Sequence, residues 1–278
     1  MKRVALRIPA LRRLVPEQLR QTVTTEDRAE RFMPALANAH MIEGMLSDFS
    51  IAVMDMLLSL QTRSGISGHI VELGVFRGRS AAVLATHASR DERLILVDVA
   101  DNFERERLVA TYPKTEFLVC TTDLFPSVLS DYRRIAAACR FIHIDASHQF
   151  SLTFRELCIA DKLLMDGGII AVDDFANLNY SQNIAAIYKY LFTTRTTLTP
   201  LLVTAEKGYL CRRTDFPFYG KFVLDHAINA MALRDVPDAL LARTDIDPDY
   251  RAFHLRTRNQ GEGQFYGFSI YEGCYATP

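Results

Sequence analysis

Two aspartates, Asp173 and Asp174, stand side by side after the apolar run 168–172, and a third, Asp145, closes the apolar run 141–144. If both runs are neighbouring buried parallel strands, their carboxyl ends place three carboxylates in one crevice. Their repulsion is tolerated there only with a bound cation or a raised pKa. The pattern predicts a metal site of hard oxygens, without cysteine or clustered histidine, which favours Mg²⁺, Mn²⁺ or Ca²⁺ over zinc.

A second group lies in Glu72-Leu73-Gly74-Val75-Phe76-Arg77-Gly78-Arg79-Ser80. Glycines after a strand let the backbone turn sharply and approach a ligand, and free N–H groups at the following helix start suit an anionic group. The spacing is neither that of a Walker A loop nor that of G-x-G-x-x-G. Twenty residues beyond Gly78 (98 − 78 = 20), Asp98 ends the next apolar run. An acid there can accept hydrogen bonds from both hydroxyls of a ribose. Glycine loop and acid together predict a cofactor with a nucleoside end.

The elements that must position these residues follow from periodicity. Short apolar strands at 69–73, 94–97, 117–120, 141–144 and 169–172 alternate with helical segments, the pattern of an α/β doubly wound, mostly parallel sheet. The segment 201–211 reads as a hairpin with a Gly-containing turn, an antiparallel pair expected to close one sheet edge. Upstream, from about Ala35 to Gln61, Met41, Met45, Phe49, Val53, Met56 and Leu57 recur at helical spacing and predict a core-facing stripe. Beyond Asp215 a helix is expected over 222–233, then interruptions at Pro237 and Pro248. An aromatic tail (Phe265, Tyr266, Phe268, Tyr271, Tyr275) is expected to pack on the body or on a second subunit. The chain thus divides into an N-terminal arm and helical cap (1–64), a cofactor-binding core (65–213) and a C-terminal extension serving as cap or oligomer contact (214–278).

Composition excludes some classes. With 278 residues and 49% apolar content the chain can bury the core of one large domain, and its net charge of −1 gives no electrostatic footprint for nucleic acid. No apolar run approaches transmembrane length. Cys120, Cys139, Cys158, Cys211 and Cys274 show no C-x-x-C spacing, and their odd number fits a reducing cytoplasm. The basic start (Lys2, Arg3, Arg7) resembles a signal n-region, but Pro9, Arg12 and Arg13 break the apolar stretch that should follow. It is read as a cytosolic arm packed on the body or on another subunit of a homo-oligomer, with an interfacial membrane anchor as the sharper alternative.

Three stretches carry a family resemblance: 65–78 (Gly65-Ile66-Ser67-Gly68-His69-Ile70-Val71-Glu72-Leu73-Gly74-Val75-Phe76-Arg77-Gly78), 141–148 (Phe141-Ile142-His143-Ile144-Asp145-Ala146-Ser147-His148), and Asp166-Gly167-Gly168 leading to Asp173-Asp174-Phe175. On these the chain, from about residue 65 to 212, resembles the class I S-adenosylmethionine-dependent methyltransferases with their Rossmann-like sheet. More narrowly it is similar to metal-dependent O-methyltransferases of the macrocin type and the related cephalosporin-hydroxylase-like group. The resemblance implies that Glu72, Gly74, Gly78 and Ser80 hold the methionine part of S-adenosylmethionine, and that Asp98 holds its ribose. It implies that Asp145, Asp173 and Asp174 bind Mg²⁺ or Mn²⁺. Asp123 falls where the family contacts the adenine end, or equally caps the segment 124–126.

One departure concerns the base. Related enzymes carry an acid two residues after the first metal ligand; here Ser147 stands there, followed by His148. A serine hydroxyl is too weakly basic, so either His148 removes the acceptor's proton or metal coordination alone acidifies it. His148 and Asp145 are the candidate catalytic residues. The implied acceptor is a small molecule with a vicinal diol, sugar or catechol-like hydroxyl, of natural-product type. Two rivals remain: a non-catalytic methyltransferase-like binding or scaffold protein, and a nicotinamide-dependent oxidoreductase, against which the glycine spacing and the Asp-Asp pair argue.

Overall fold

A computed structural model describes residues 27–258 except 107, 109–111 and 248, together with the backbone of 268–269. The basic arm, most of the aromatic tail and Cys274 lie outside the described residues.

The helical stripe expected over 35–61 is two helices, α1 (Phe32–His40) and α2 (Asp48–Arg63). The chain breaks at 41–47 because Ser47 takes an extended conformation and its side chain caps α2, accepting from the Ser50 N–H at 3.2 Å. Met41 and Met45 therefore fall in the linker and are 63% and 92% exposed, so they do not extend the core stripe. Helix α2, by contrast, is buried all round from Phe49 to Gln61. Its two strongly polar residues are satisfied inside. Asp55 meets His87 at 2.8 Å and Arg234 at 2.7 Å, and Gln61 donates to the Arg140 carbonyl at 2.7 Å.

The strands form one sheet in the order β10-β8-β9-β6-β7-β5-β4-β1-β2-β3. They are β1 (His69–Leu73), β2 (Leu94–Asp98), β3 (Thr115–Val119), β4 (Cys139–Ile144), β5 (Leu164–Asp173), β6 (Leu198–Val203), β7 (Lys207–Arg212), β8 (Ala239–Arg243), β9 (Phe253–Thr257) and β10 (Phe268–Ser269). Strands β1 to β5 pair in parallel and β5 to β7 antiparallel. This is the Rossmann-like architecture expected. The 201–211 hairpin is present, with two differences. Its turn, 204–206, holds no glycine; the Thr204 side chain closes it by accepting the Lys207 N–H at 2.9 Å. Nor does the hairpin close the edge, since the C-terminal segment adds β9, β8 and β10 beyond it. Gly208 instead lies in β7, where a Cβ would fall 2.2 Å from the Phe175 ring.

The two faces of the sheet carry separate cores, as strand alternation requires. Ile70, Phe141, Ile169, Ala171 and Tyr209 pack under α1, α2, α3 (Arg79–His87) and the C-terminal helix Phe216–Ala232. Val71, Leu73, Ile142, Ile144, Ile170, Val172 and Leu210 pack under the helices Phe150–Leu163 and Ser181–Thr193. Among the described residues no helix is long and apolar enough to cross a membrane.

Candidate active site

The strand order reverses between β1 and β4, and the loops that leave their carboxyl ends flank a crevice there, where open α/β sheets hold ligands. The crevice encloses about 310 Å³ and is lined from four directions: Val75, Phe76, Arg79 and Ser80 after β1; Asp145 and His148 after β4; Asp173, Asp174, Asn177 and Tyr180 after β5; Glu206 and Lys207 from the hairpin. Residues 43–46, the break between α1 and α2, roof it. Glu43 pairs with Arg77, and Glu206 accepts from Ser47 Oγ at 2.7 Å and Ser50 Oγ at 2.5 Å, so the helical cap is tied to both walls.

Gly74 is needed for the tight passage between the two loops. Its φ is +88°, and a Cβ would lie 2.2 Å from the Asp145 carbonyl oxygen, a space only glycine leaves open. Gly78, φ +99°, turns the chain into α3, whose second residue Ser80 lines the crevice. Between them Phe76 has φ +51°, uncommon for a bulky residue. Asp98 holds this conformation: its Oδ2 accepts the Val75 and Phe76 N–H groups at 2.7 and 2.8 Å, and its Oδ1 accepts Ala100 N–H at 3.0 Å. The acid expected at a ribose is thus also the brace of the glycine loop.

Of the residues expected at the cofactor, Ser80 lines the crevice, while Gly74, Gly78 and Asp98 shape the loop behind it and Glu72 and Asp123 stand elsewhere. Glu72 is fully buried on the α2 face of β1, directly across from His143 on β4, whose Nδ1 lies 2.7 Å from Glu72 Oε1. Asp123 pairs with Arg155 at 3.3 Å, and bonds to Thr121 and to the Leu124 N–H hold its carboxyl below the usual range; the N-cap of the helix that follows is Leu124.

The three acids divide into two groups. Asp145 and Asp173 converge with His143, their donor atoms all within 4.8 Å of one another. Asp174 does not join them: with φ +51° it turns to His148, accepting from Nε2 at 2.7 Å, while Asn177 Nδ2 donates to its other oxygen at 2.9 Å. His148 stacks on Tyr180, ring centroids 3.8 Å apart, which fixes the imidazole plane at the crevice wall.

Into the first group the structure sets a cation of its own. Antiparallel register places Lys207 opposite Asp173, and its Nζ lies 2.6 Å from Asp173 Oδ1 and 3.1 Å from His143 Nε2. With the hydrogen on Nδ1 facing Glu72, the neutral imidazole of His143 accepts from the ammonium, so one tautomer satisfies both neighbours. Burial drives the Asp145 carboxyl well above its ordinary range; Lys207 offsets part of this, and the neighbouring Asp173 adds to it. Burial also opposes ionisation of Asp173, but the Lys207 ammonium, the neighbouring His143 and a hydrogen bond from Asp145 outweigh it, leaving Asp173 below its usual value. A divalent ion held by Asp145, Asp173 and Asp174 does not fit this donor set, because Asp174 is engaged elsewhere and an ammonium already contacts Asp173.

Four site residues escaped the sequence reading: His143, Lys207, Asn177 and Tyr180. His143 lay in view within the alternating run 141–144, where period two places it on the face opposite Ile142 and Ile144. Lys207 was placed on the hairpin, but its partner depends on a register that a sequence does not state.

Residues 71–175 match the family model of a methyltransferase domain. Among solved structures the chain is similar to a putative O-methyltransferase from Klebsiella pneumoniae (18% identity over 68% of this chain and 90% of that one, TM-score 0.48). It is similar to the O-methyltransferase TomG from Streptomyces achromogenes, involved in tomaymycin synthesis and solved with SAM (18% identity, 68% of this chain and 90% of that one, TM-score 0.45). It is also similar to an O-methyltransferase from Bacillus cereus in complex with SAH (16% identity, 72% and 97%, TM-score 0.45). None of the curated proteins compared with the chain matches it.

Proposed function

From a methyltransferase domain over residues 71–175, we propose that the chain transfers a methyl group from S-adenosylmethionine to a hydroxyl oxygen of a small molecule, with His148 as the base. The observation that carries this reading is the His148–Asp174 pair at 2.7 Å on the wall of the crevice that the glycine loop opens into.

The cofactor would be held by the loop around Gly74 and Gly78, by Ser80 and by Asp98. The N–H groups at the start of α3 and the crevice volume suit it, and Gly74 lets the β1 and β4 loops pack close enough to shape that crevice. When bound it supplies an activated methyl group on a sulfonium, so the protein must only orient an oxygen and remove its proton. His148 is built for the second task. Asp174 accepts from Nε2, which leaves Nδ1 as the nitrogen that takes up the proton and stabilises the imidazolium that results, while Tyr180 fixes the ring's direction. The partly exposed dyad argues against a purely structural or scaffold role, since a histidine oriented by a carboxylate and open to a cavity is an arrangement packing alone does not call for.

The test is calorimetry with S-adenosylhomocysteine, followed by turnover on a panel of hydroxyl acceptors. His148→Ala should lower kcat by roughly 10²–10⁴ with little change in S-adenosylhomocysteine affinity. Asp174→Asn should lower it by about tenfold or more, because an amide can favour the wrong imidazole tautomer. Tight NADH binding without any response to S-adenosylhomocysteine would overturn the reading.

A further inference from the structure

We propose that Lys207 is the built-in cation of this site: its ammonium takes the position a divalent metal would take between Asp173 and His143, so the chain works without a metal and its acceptor needs only a single hydroxyl. The second half of this statement rests on the methyl-transfer reading above; the first does not.

The argument begins with the backbone. Lys207 is the first residue of β7, and three hydrogen bonds fix its main chain against Thr204: its N–H donates to Thr204 Oγ1 at 2.9 Å, and its carbonyl accepts from Thr204 N at 2.8 Å and Thr204 Oγ1 at 3.2 Å. The ladder to β5 then sets it opposite Asp173, and Gly208 beside it is pressed against Phe175. The side chain is 1% exposed, so its stem is enclosed even though it borders the crevice. Inside, the donors and acceptors run in one connected string: Glu72 to His143 at 2.7 Å, His143 to Lys207 at 3.1 Å, Lys207 to Asp173 at 2.6 Å. A dication entering among His143, Asp145 and Asp173 would meet a like charge at contact distance and would have to displace a buried ammonium from its carboxylate.

The consequence reaches the substrate. Where a divalent ion orients an acceptor, it does so by binding two neighbouring oxygens, which confines the substrate to chelating diols and catechols. With a paired ammonium in the crevice lining, orientation falls to the walls and deprotonation to the His148 side chain, and one hydroxyl suffices.

The test uses the full chain and free Mn²⁺, read by electron paramagnetic resonance with and without S-adenosylhomocysteine. The wild-type protein, stripped with EDTA, is expected to leave the aqueous Mn²⁺ signal undiminished, to keep its S-adenosylhomocysteine affinity and to methylate a simple monohydroxyl acceptor at an unchanged rate. Lys207→Met keeps the stem and removes the charge; it should gain a stoichiometric Mn²⁺ site from the freed acids and His143, whereas Lys207→Arg should not. Stoichiometric Mn²⁺ binding by the wild type, abolished in Asp173→Asn, would overturn the proposal, as would a folded Lys207→Met that binds no Mn²⁺. Because the wild-type titration needs no variant, a Lys207→Met chain that does not fold leaves the proposal open to refutation. A wild type that binds neither Mn²⁺ nor S-adenosylhomocysteine would refute the methyl-transfer reading and uphold the role of Lys207.

Discussion

Glu156 offers a titration with a sign and a size. It lies fully buried on the helix Phe150–Leu163, its Oε1 accepting from Thr122 Oγ1 at 2.7 Å, while Oε2 has no partner. Burial pushes its carboxyl from 4.5 up to about 7, against the pull of that bond and of the Ser147 N–H. The folded pKa is therefore above the unfolded one, by 7 − 4.5 = 2.5. At about 1.36 kcal/mol per unit this amounts to roughly 3 kcal/mol. The folded state binds the extra proton, so the contribution is fully present below about 4.5 and is lost as pH rises through about 7. Glu156→Gln removes the titration. Urea unfolding of both proteins across pH 5 to 8 should show the wild type losing about 3 kcal/mol relative to the variant as pH rises, other groups cancelling in the difference. A wild-type-minus-variant difference that stays flat over that range would refute the buried, half-satisfied carboxyl.

The remaining tests address the cofactor loop. Gly74→Ala forces a Cβ against the Asp145 backbone at a positive φ, and should destabilise the fold by more than about 3 kcal/mol in urea unfolding, combining the left-handed penalty with overpacking against main chain; a loss under about 1 kcal/mol would contradict the close approach. Asp98→Ala orphans the Val75, Phe76 and Ala100 N–H groups and should weaken S-adenosylhomocysteine binding by about ten- to a hundredfold in calorimetry, from charge-assisted bonds of roughly 1.5–3 kcal/mol each. Unchanged affinity in that variant would separate the loop from the cofactor.

The parallel half of the sheet was legible because β1, β2, β4 and β5 are buried on both faces and read as continuous apolar runs, a signal that survives without knowledge of their partners. The C-terminal strands were not. Ala239–Arg243 and Phe253–Thr257 mix apolar with basic residues, the first beginning two residues after Pro237 and the second five after Pro248, so nothing local marks them as sheet until β6 supplies an edge. The break after α1 was hidden for a different reason: Met41 and Met45 keep the helical spacing while a cap at Ser47 overrides it. Helical period reports which residues could share a face, and the serine decides whether the helix reaches them.

At the site, the sequence announced the carboxylates and concealed their division of labour. Asp173 ends β5 on the face that carries Glu72, His143 and Lys207, so pairing with the ammonium follows from strand alternation once the β5–β7 register is known. Asp174 is the next residue, and the chain leaves the strand there with φ +51°, which swings its carboxylate to His148. Aspartate tolerates that left-handed conformation better than most residues with a Cβ. Two adjacent acids thus serve two different positive partners, one the ammonium of the floor and the other the imidazole of the wall. Under the proposal above, the repulsion that the sequence alone assigns to a shared metal is relieved by separation and by internal pairing. Where an acid at position 147 was expected, the structure places a carboxylate from the end of the neighbouring strand, Asp174, and His148 rather than Ser147 faces it.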